Sequence, residues 1–245
     1  DGSPATPIER AVEEAIRERL SVFEPSAAFL GEETGGSDLP SFGLAVAVDP
    51  VDGTWAFLTE SATWTSTLAV FRDGRAIAGF VGCPMTGELA YAIAGERTRC
   101  LRLSIFDEPD IGYDLPSASR EEDKLLVNFH PSAGTGTAQR ALHEAWRSGE
   151  VRMVRAPGGS PAWSLLEAAR GHYVYLNAWS NRRAEPFDLA AGVLLVRGAG
   201  GEVTDLDGNP IDEAVHAGPW IAGLEAGQRA RVARIVRAAF SPWTS

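Results

Sequence analysis

The hexapeptide Asp49-Pro50-Val51-Asp52-Gly53-Thr54 directly follows the apolar run Leu44-Ala45-Val46-Ala47-Val48, and this juxtaposition constrains the chain more than any other. A short apolar run bounded by turn formers predicts a buried strand, which makes the acidic hexapeptide its polar tip. Pro50 lacks an N–H and fixes φ, while Gly53 tolerates φ > 0, so the backbone folds sharply between them and turns the Val51 carbonyl outward. Asp49, Asp52 and that carbonyl are hard oxygen donors, of the kind Mg²⁺ takes together with waters and phosphate oxygens. The same residue types also make ordinary surface turns. The choice between the two readings rests on the rest of the chain.

Two further acidic motifs stand in order around this one: Gly31-Glu32-Glu33-Thr34 upstream and Pro186-Phe187-Asp188-Leu189-Ala190-Ala191-Gly192 downstream. Together the three resemble the inositol monophosphatase family of Mg²⁺-dependent, lithium-sensitive phosphatases, over a span from Asp1-Gly2-Ser3-Pro4 to about Gly208. The resemblance implies an α/β fold, the layered αβαβα sandwich of the sugar and inositol phosphatases. It implies a phosphoric monoester hydrolase, hydrolysing a small phosphorylated polyol, sugar or amino alcohol by two-metal in-line attack of water, and a homodimer. One metal would be held by Glu32, Asp49 and the Val51 carbonyl, and a second by Asp49, Asp52 and Asp188, with Mn²⁺ a substitute for Mg²⁺. Thr54 would hydrogen-bond the attacking water, Glu32 would help to position it, and residue 9 would orient Thr54. The amides of Gly53 and Thr54 would receive the phosphate, and Gly159 or Ser160 would border the leaving group.

The chain departs from the family at two places: Glu9 stands where Asp is usual, and Phe187 where Trp is common. A phosphate-binding protein of the same fold without turnover is therefore an alternative. A nucleotide-bisphosphate 3′-phosphatase, which shares these motifs, is another.

The formal charge is −11, from 22 Lys and Arg against 33 Asp and Glu, which argues against nucleic acid or an anionic membrane surface as the main partner. An acidic protein that handles phosphate must bring its own positive charge, and bound metal is the simplest supply. No apolar run approaches the roughly 20 residues of a membrane span. No signal peptide is read before Asp1, although a chain that does not begin with Met leaves room for a preceding piece. Cys83 and Cys100 are too few for a disulfide framework and lack metal-ligand spacing. Both are read as reduced and the protein as cytoplasmic. His130, His143, His172 and His216 are scattered and form no zinc pattern.

Along the chain, Thr6-Pro7-Ile8-Glu9 reads as a capping box opening a helix with apolar residues at Ile8, Val12, Ala15, Ile16 and Leu20. Glu9 as a cap is the structural alternative to Glu9 as the partner of Thr54. A short helix is expected after Thr54, then an antiparallel meander over Thr65 to Arg72, Arg75 to Cys83 and Leu89 to Ala94, with a turn at Asp73-Gly74. Asp107 to Asp123 is acidic with two prolines and reads as a linker. It divides the chain near Lys124 into an α+β half, 1–123, with most of the acidic ligands, and an α/β half, 124–245, with Asp188 and a substrate loop.

In the second half, Leu125 to Phe129, Val151 to Arg155 and Tyr173 to Leu176 read as strands, and Thr137 to Arg147 as a helix. Ser160 caps a further helix, and Asp188 would cap the next. Asn177 to Glu185 is expected to read the leaving group. Inositol-binding relatives place a Glu where this chain has Asn177, and the segment also carries Trp179, Arg182 and Arg183, which suit an alcohol with its own anionic or multiply oxygenated group. A solvated loop is the alternative reading. The basic helix Ala226 to Phe240 is expected to expose Arg229, Arg231, Arg234 and Arg237 as a solvated face.

Overall fold

The computed structural model describes residues 6–36, 38–104, 110–116, 125–130, 135–178 and 183–240. Helix α1 (Pro7–Phe23) opens with the Thr6/Glu9 capping box and Pro at its first position. Then follow β1 (Ala28–Gly31), β2 (Gly35–Gly36), β3 (Leu44–Asp52), α2 (Thr54–Leu58), β4 (Thr65–Arg72), β5 (Arg75–Cys83), β6 (Glu88–Ile93), β7 (Arg99–Arg102) and β8 (Ile111–Asp114). These eight strands form one sheet, ordered β2-β1-β3-β4-β5-β6-β7-β8. β1 runs parallel to β3, and the strands from β3 onward form an antiparallel meander.

The second group comprises β9 (Leu126–His130), α3 (Gly136–Arg147), β10 (Met153–Arg155), α4 (Pro161–Ala169), β11 (Val174–Asn177), β12 (Arg183–Ala184), α5 (Pro186–Gly198), β13 (Glu202–Thr204), β14 (His216–Ala217), β15 (Trp220–Gly223) and α6 (Ala226–Phe240). Five of its strands form a sheet ordered β10-β9-β11-β15-β13, while β12 and β14 pair separately. No helix among the described residues is long and apolar enough to cross a membrane.

Side-chain alternation builds the layers. In β3, Ala45 and Ala47 join the central core, while Val46 and Val48 face the other way and pack with Ile16 and Leu20 of α1. α4 and α5 fill the space between the sheets: α5 touches β3, β4, β5, β6 and β13, and α4 touches β4, β5, β11 and β15. α3 and α6 cover the far side of the five-stranded sheet, where Leu142, Val232 and Val236 pack on Val127, Leu176 and Ile221. The result is the expected αβαβα stack.

Small residues set the spacing of the middle layer. A Cβ on Gly79 of β5 would lie 2.7 Å from the Cα of Ala191, and one on Gly192 would lie 2.3 Å from Leu165 Cδ1. α5 therefore sits on the sheet at backbone distance, while Gly192 leaves room for the Leu165 side chain of α4. Across the same layer, Arg170 at the end of α4 donates to Glu167 at 2.7 Å and to Glu88 of β6 at 2.8 Å. Tyr113 and Thr86 also donate to Glu88. Burial works to raise the Glu88 pKa, but the Arg170 charge and these donors overcome it and hold the carboxyl below its ordinary value.

Several elements differ from the sequence reading. β8 lies within the stretch read as a linker, because Ile111 to Asp114 is mostly exposed and is held by pairing with β7 rather than by an apolar pattern. Lys124 and the neighbouring residues 117–123 lie outside the described residues. α5 begins at Pro186, with Glu185 as its cap and Asp188 as the third helical residue; Pro186 pre-sets the helical φ, so the helix starts earlier than Asp188. The arginines of α6 are tethered, with Arg234 and Arg237 exposed as expected and Arg229 and Arg231 half-buried. Arg229 donates to the Gly223 carbonyl, Arg231 and Arg234 reach Glu150, and Arg237 bonds Asp207 and the Leu206 carbonyl.

Gly79→Ala tests the spacing of the middle layer. The added methyl meets backbone that cannot swing aside, so stability in a denaturant titration should fall by about 1–3 kcal/mol with the far-ultraviolet spectrum unchanged.

Candidate active site

β3 carries the apolar run into the middle of the large sheet and does not end before the acids. It continues to Asp52, with a register shift against β4 between Asp49 and Asp52. The irregularity at Pro50 and Val51 is the bend that the proline predicts, and it leaves both aspartates on a buried, kinked strand end. Asp49 is 2% exposed and Asp52 4%. Gly53 then takes φ 91°, the left-handed conformation expected of it, and α2 starts at Thr54. A Cβ on Gly53 would lie 2.8 Å from the Ser160 amide, so glycine also admits the loop before α4.

Each acid is held differently. Asp49 Oδ1 accepts the Val51 amide at 2.8 Å. Asp52 Oδ2 accepts the Ala162 amide at 2.9 Å, Thr65 Oγ1 at 3.2 Å and the Ser160 hydroxyl. Asp188, 4% exposed, accepts the Glu185 amide at 2.8 Å as the reciprocal half of the α5 capping box. Glu32 hangs from the loop after β1, its amide bound to the Val48 carbonyl at 3.2 Å, and its carboxyl hydrogen-bonds Asp49.

The electrostatics show that these four acids share one place. Burial pushes Glu32 up to about 7, with the Asp49 hydrogen bond working against it and the charges of Asp188 and Asp52 adding to it. Burial and the charges of Asp52 and Glu32 put Asp49 well above its ordinary value. Asp52 rises to about 6, again through burial, with the Ser160 and Ala162 hydrogen bonds opposing. The chain thus gathers carboxylates that repel one another out of water. Their donor set is oxygen only, which fits a hard divalent cation such as Mg²⁺. Among the described residues no three Asp, Glu, His or Cys side chains form a ready-made cage around one point. The group is thus an acidic cluster into which a cation would draw ligands, completed by the Val51 carbonyl, water or substrate oxygens.

Thr54 Oγ1 lies 3.4 Å from both Glu9 Oε1 and the Val51 carbonyl, so the structure brings residues 9 and 54 together across the sequence. Glu9 is 1% exposed and also accepts the Thr6 amide, so it both caps α1 and reaches Thr54. Gly159, at φ 93°, packs against Thr63.

Two of the expected substrate-binding residues face inward. Ser160 is fully buried, and its hydroxyl serves Asp52, Thr65 and the Trp163 amide, so it holds an acid in place. Asn177 is likewise fully buried, at the end of β11, with its amide donating to the Tyr175 hydroxyl at 3.2 Å. Arg183 is exposed and 3.9 Å from Glu185, while Trp179 and Arg182 lie outside the described residues.

The sequence reading missed Thr65. Its register opposite Asp52 places it there, and only strand pairing reveals that.

The sequence model of the inositol monophosphatase family matches residues 1–239. This chain belongs to the inositol monophosphatase family. Among curated relatives, the histidinol-phosphatase of Mycobacterium tuberculosis is 32% identical over 217 residues, covering 85% of this chain and 76% of its own length. The inositol-1-monophosphatase of Bacillus subtilis is 27% identical over 209 residues, covering 84% and 74%. A crystal structure of an IMPase/NADP phosphatase complexed with Mg²⁺ and phosphate superposes with a TM-score of 0.75, at 20% identity over 96% of this chain and 82% of that one, and it shows the shared fold.

The raised acids make a stability prediction for this family member. A carboxyl whose folded pKa is raised binds more protons folded than unfolded, so its folded form is favoured at low pH and loses that advantage as pH rises through the raised value. In chelator, the Tm should therefore fall between about pH 5 and about pH 7.5, and Mg²⁺ should raise it more at the higher pH, as scanning calorimetry would show.

Proposed function

We propose that this chain hydrolyses a small phosphorylated polyol, sugar or amino alcohol by metal-assisted attack of water. Membership of the family makes it a phosphoric monoester hydrolase. The observation that carries the metal part is the burial of Asp49, Asp52 and Asp188 together with Glu32, all oxygen donors and mutually repelling. Glu32, Asp49, Asp52, Asp188 and the Val51 carbonyl would hold Mg²⁺, with Mn²⁺ able to replace it. Such an ion, when bound, lowers the pKa of a water and neutralises charge on phosphoryl oxygens.

The remaining work falls to the chain's own groups. Thr54 donates its hydroxyl hydrogen bond to Glu9, which leaves an oxygen lone pair to accept a hydrogen bond from the attacking water and so aim that water at phosphorus. Glu32, on the far side of the turn, helps to position the same water. The amides of Gly53 and Thr54 receive a phosphoryl oxygen, and Gly53 is the residue that lets the chain turn tightly enough to present them. Ser160, Thr65 and the α4 amide of Ala162 keep Asp52 in place. Arg183 and Arg182 are proposed to face the alcohol portion. A cytoplasmic homodimer completes the proposal, supported by the family resemblance and by two buried free thiols, Cys83 and Cys100.

Phosphate release from inositol phosphates, histidinol phosphate, sugar phosphates and adenosine bisphosphate, each with Mg²⁺, tests the substrate class. Asp52→Asn removes a charge with little change in volume and should abolish turnover while the protein stays folded. Wild-type-like turnover in that variant, or full activity in excess chelator, would sink the mechanism.

Glu9→Gln separates two roles. Loss of its cap alone costs about 0.5–2 kcal/mol in stability. Loss of the charge behind Thr54 should lower kcat by about 10²–10⁴-fold, read from initial rates at saturating substrate.

A further inference from the structure

Glu13 lies one helical turn beyond Glu9, on the same face of α1, and is fully buried. A buried carboxylate is costly unless its oxygens are hydrogen-bonded. Glu13 Oε1 accepts the Glu33 amide at 2.9 Å, and Oε2 accepts the Thr34 amide at 2.9 Å and the Thr34 hydroxyl at 2.5 Å. Two successive amides facing one anion form a nest, and here the chain fills it with its own side chain.

The neighbours are shaped to this contact. A Cβ on Gly31 would lie 2.1 Å from Glu13 Oε2, so glycine before Glu32 makes room for the carboxylate. One turn further along α1, Arg17 donates to Thr34 Oγ1 at 2.9 Å and stacks over the Phe29 ring at 4.4 Å. On its other flank, Glu32 is bound through its amide to the Val48 carbonyl of β3.

We propose that Glu13 is a positioning residue for the acidic site, acting on Glu32 through the two residues that follow it; the proposal rests on the reading of Glu32 as a metal ligand. The backbone of Glu32 is pinned by β3 on one side and by Glu13 on the other, which fixes the direction in which its carboxylate leaves the loop. The same helix face holds Thr54 through Glu9. A single rigid element therefore sets both the ligand on the β1 loop and the hydroxyl on α2, two groups on different segments that must converge on one water.

Isothermal titration of Mg²⁺, and separately of Mn²⁺, into wild-type protein and Glu13→Gln tests this. An amide in place of the carboxylate turns a donor toward Glu33 or Thr34 whichever way it lies, so one nest bond is lost. The variant should bind both ions about 10–100-fold more weakly, the range for groups that support a ligand. Its kcat at a fixed subsaturating Mg²⁺ should fall while KM for the phosphate ester changes little. Thr34→Val, which removes the hydroxyl donor from an exposed loop position, should weaken binding in the same direction by less, and it carries the test if Glu13→Gln does not fold. A purely structural Glu13 would lower Tm and leave the metal affinity of the folded protein unchanged. Wild-type affinity in both variants therefore overturns the role of Glu13 and leaves the metal reading standing. Wild-type protein that binds neither ion overturns the metal reading itself, and the proposal with it.

Discussion

Everything in this molecule accommodates one electrostatic problem: carboxylates from three separated stretches of chain are buried beside one another. Left alone, such a cluster drives its members to take up protons, as the raised values of Glu32, Asp49 and Asp52 record. Among the described residues the fold answers with directed donors rather than with cationic side chains. Asp52 receives the first-turn amide of α4 and two hydroxyls, and Asp188 receives the amide of Glu185. These donors fix where the acids point and leave their charge only partly compensated, which is the condition under which a divalent ion binds well.

Holding the cluster together requires the two sheets to be fixed relative to one another. Asp52 ends a strand of the eight-stranded sheet, whereas Ser160 and Ala162 open the helix that packs on the five-stranded one. Any slip between those layers would move the acid off its donors. The middle layer resists slipping because Gly79 brings α5 and β5 to backbone distance, where no side chain can re-pack to absorb movement, and Gly192 lets the Leu165 side chain of α4 seat directly on α5. Arg170 adds a polar bolt at the other end of α4, joining Glu167 of that helix to Glu88 of β6.

α1 has a comparable place on the outer face. Its apolar residues Ile16 and Leu20 seat it on β3, and its buried glutamates reach past the strand to the loop of Glu32 and to Thr54. Burying two glutamates on a helix would be unfavourable without the donors waiting for them. Their presence therefore ties the stability of this helix to the arrangement of the site.

Local chemistry alone determined much of this. A proline and a glycine bracketing Asp52 dictate a kinked strand end, a Thr-Pro-x-Glu start dictates a capped helix, and paired alternating runs around Asp73-Gly74 dictate a hairpin. Each depends on backbone restriction or short-range hydrogen bonding, which neighbouring residues suffice to specify. The three acidic motifs were legible as one family's pattern, and the resemblance implied that they converge, but no local reading of the residues does so, because convergence depends on contacts across many tens of residues. Only the tertiary structure decided that Thr65 stands opposite Asp52, that Ser160 and Asn177 turn inward, and that Glu13 reaches the loop after Glu32. Strand register and helix facing settle those positions, and both follow from how distant apolar surfaces pack together, information that no local stretch of the chain contains.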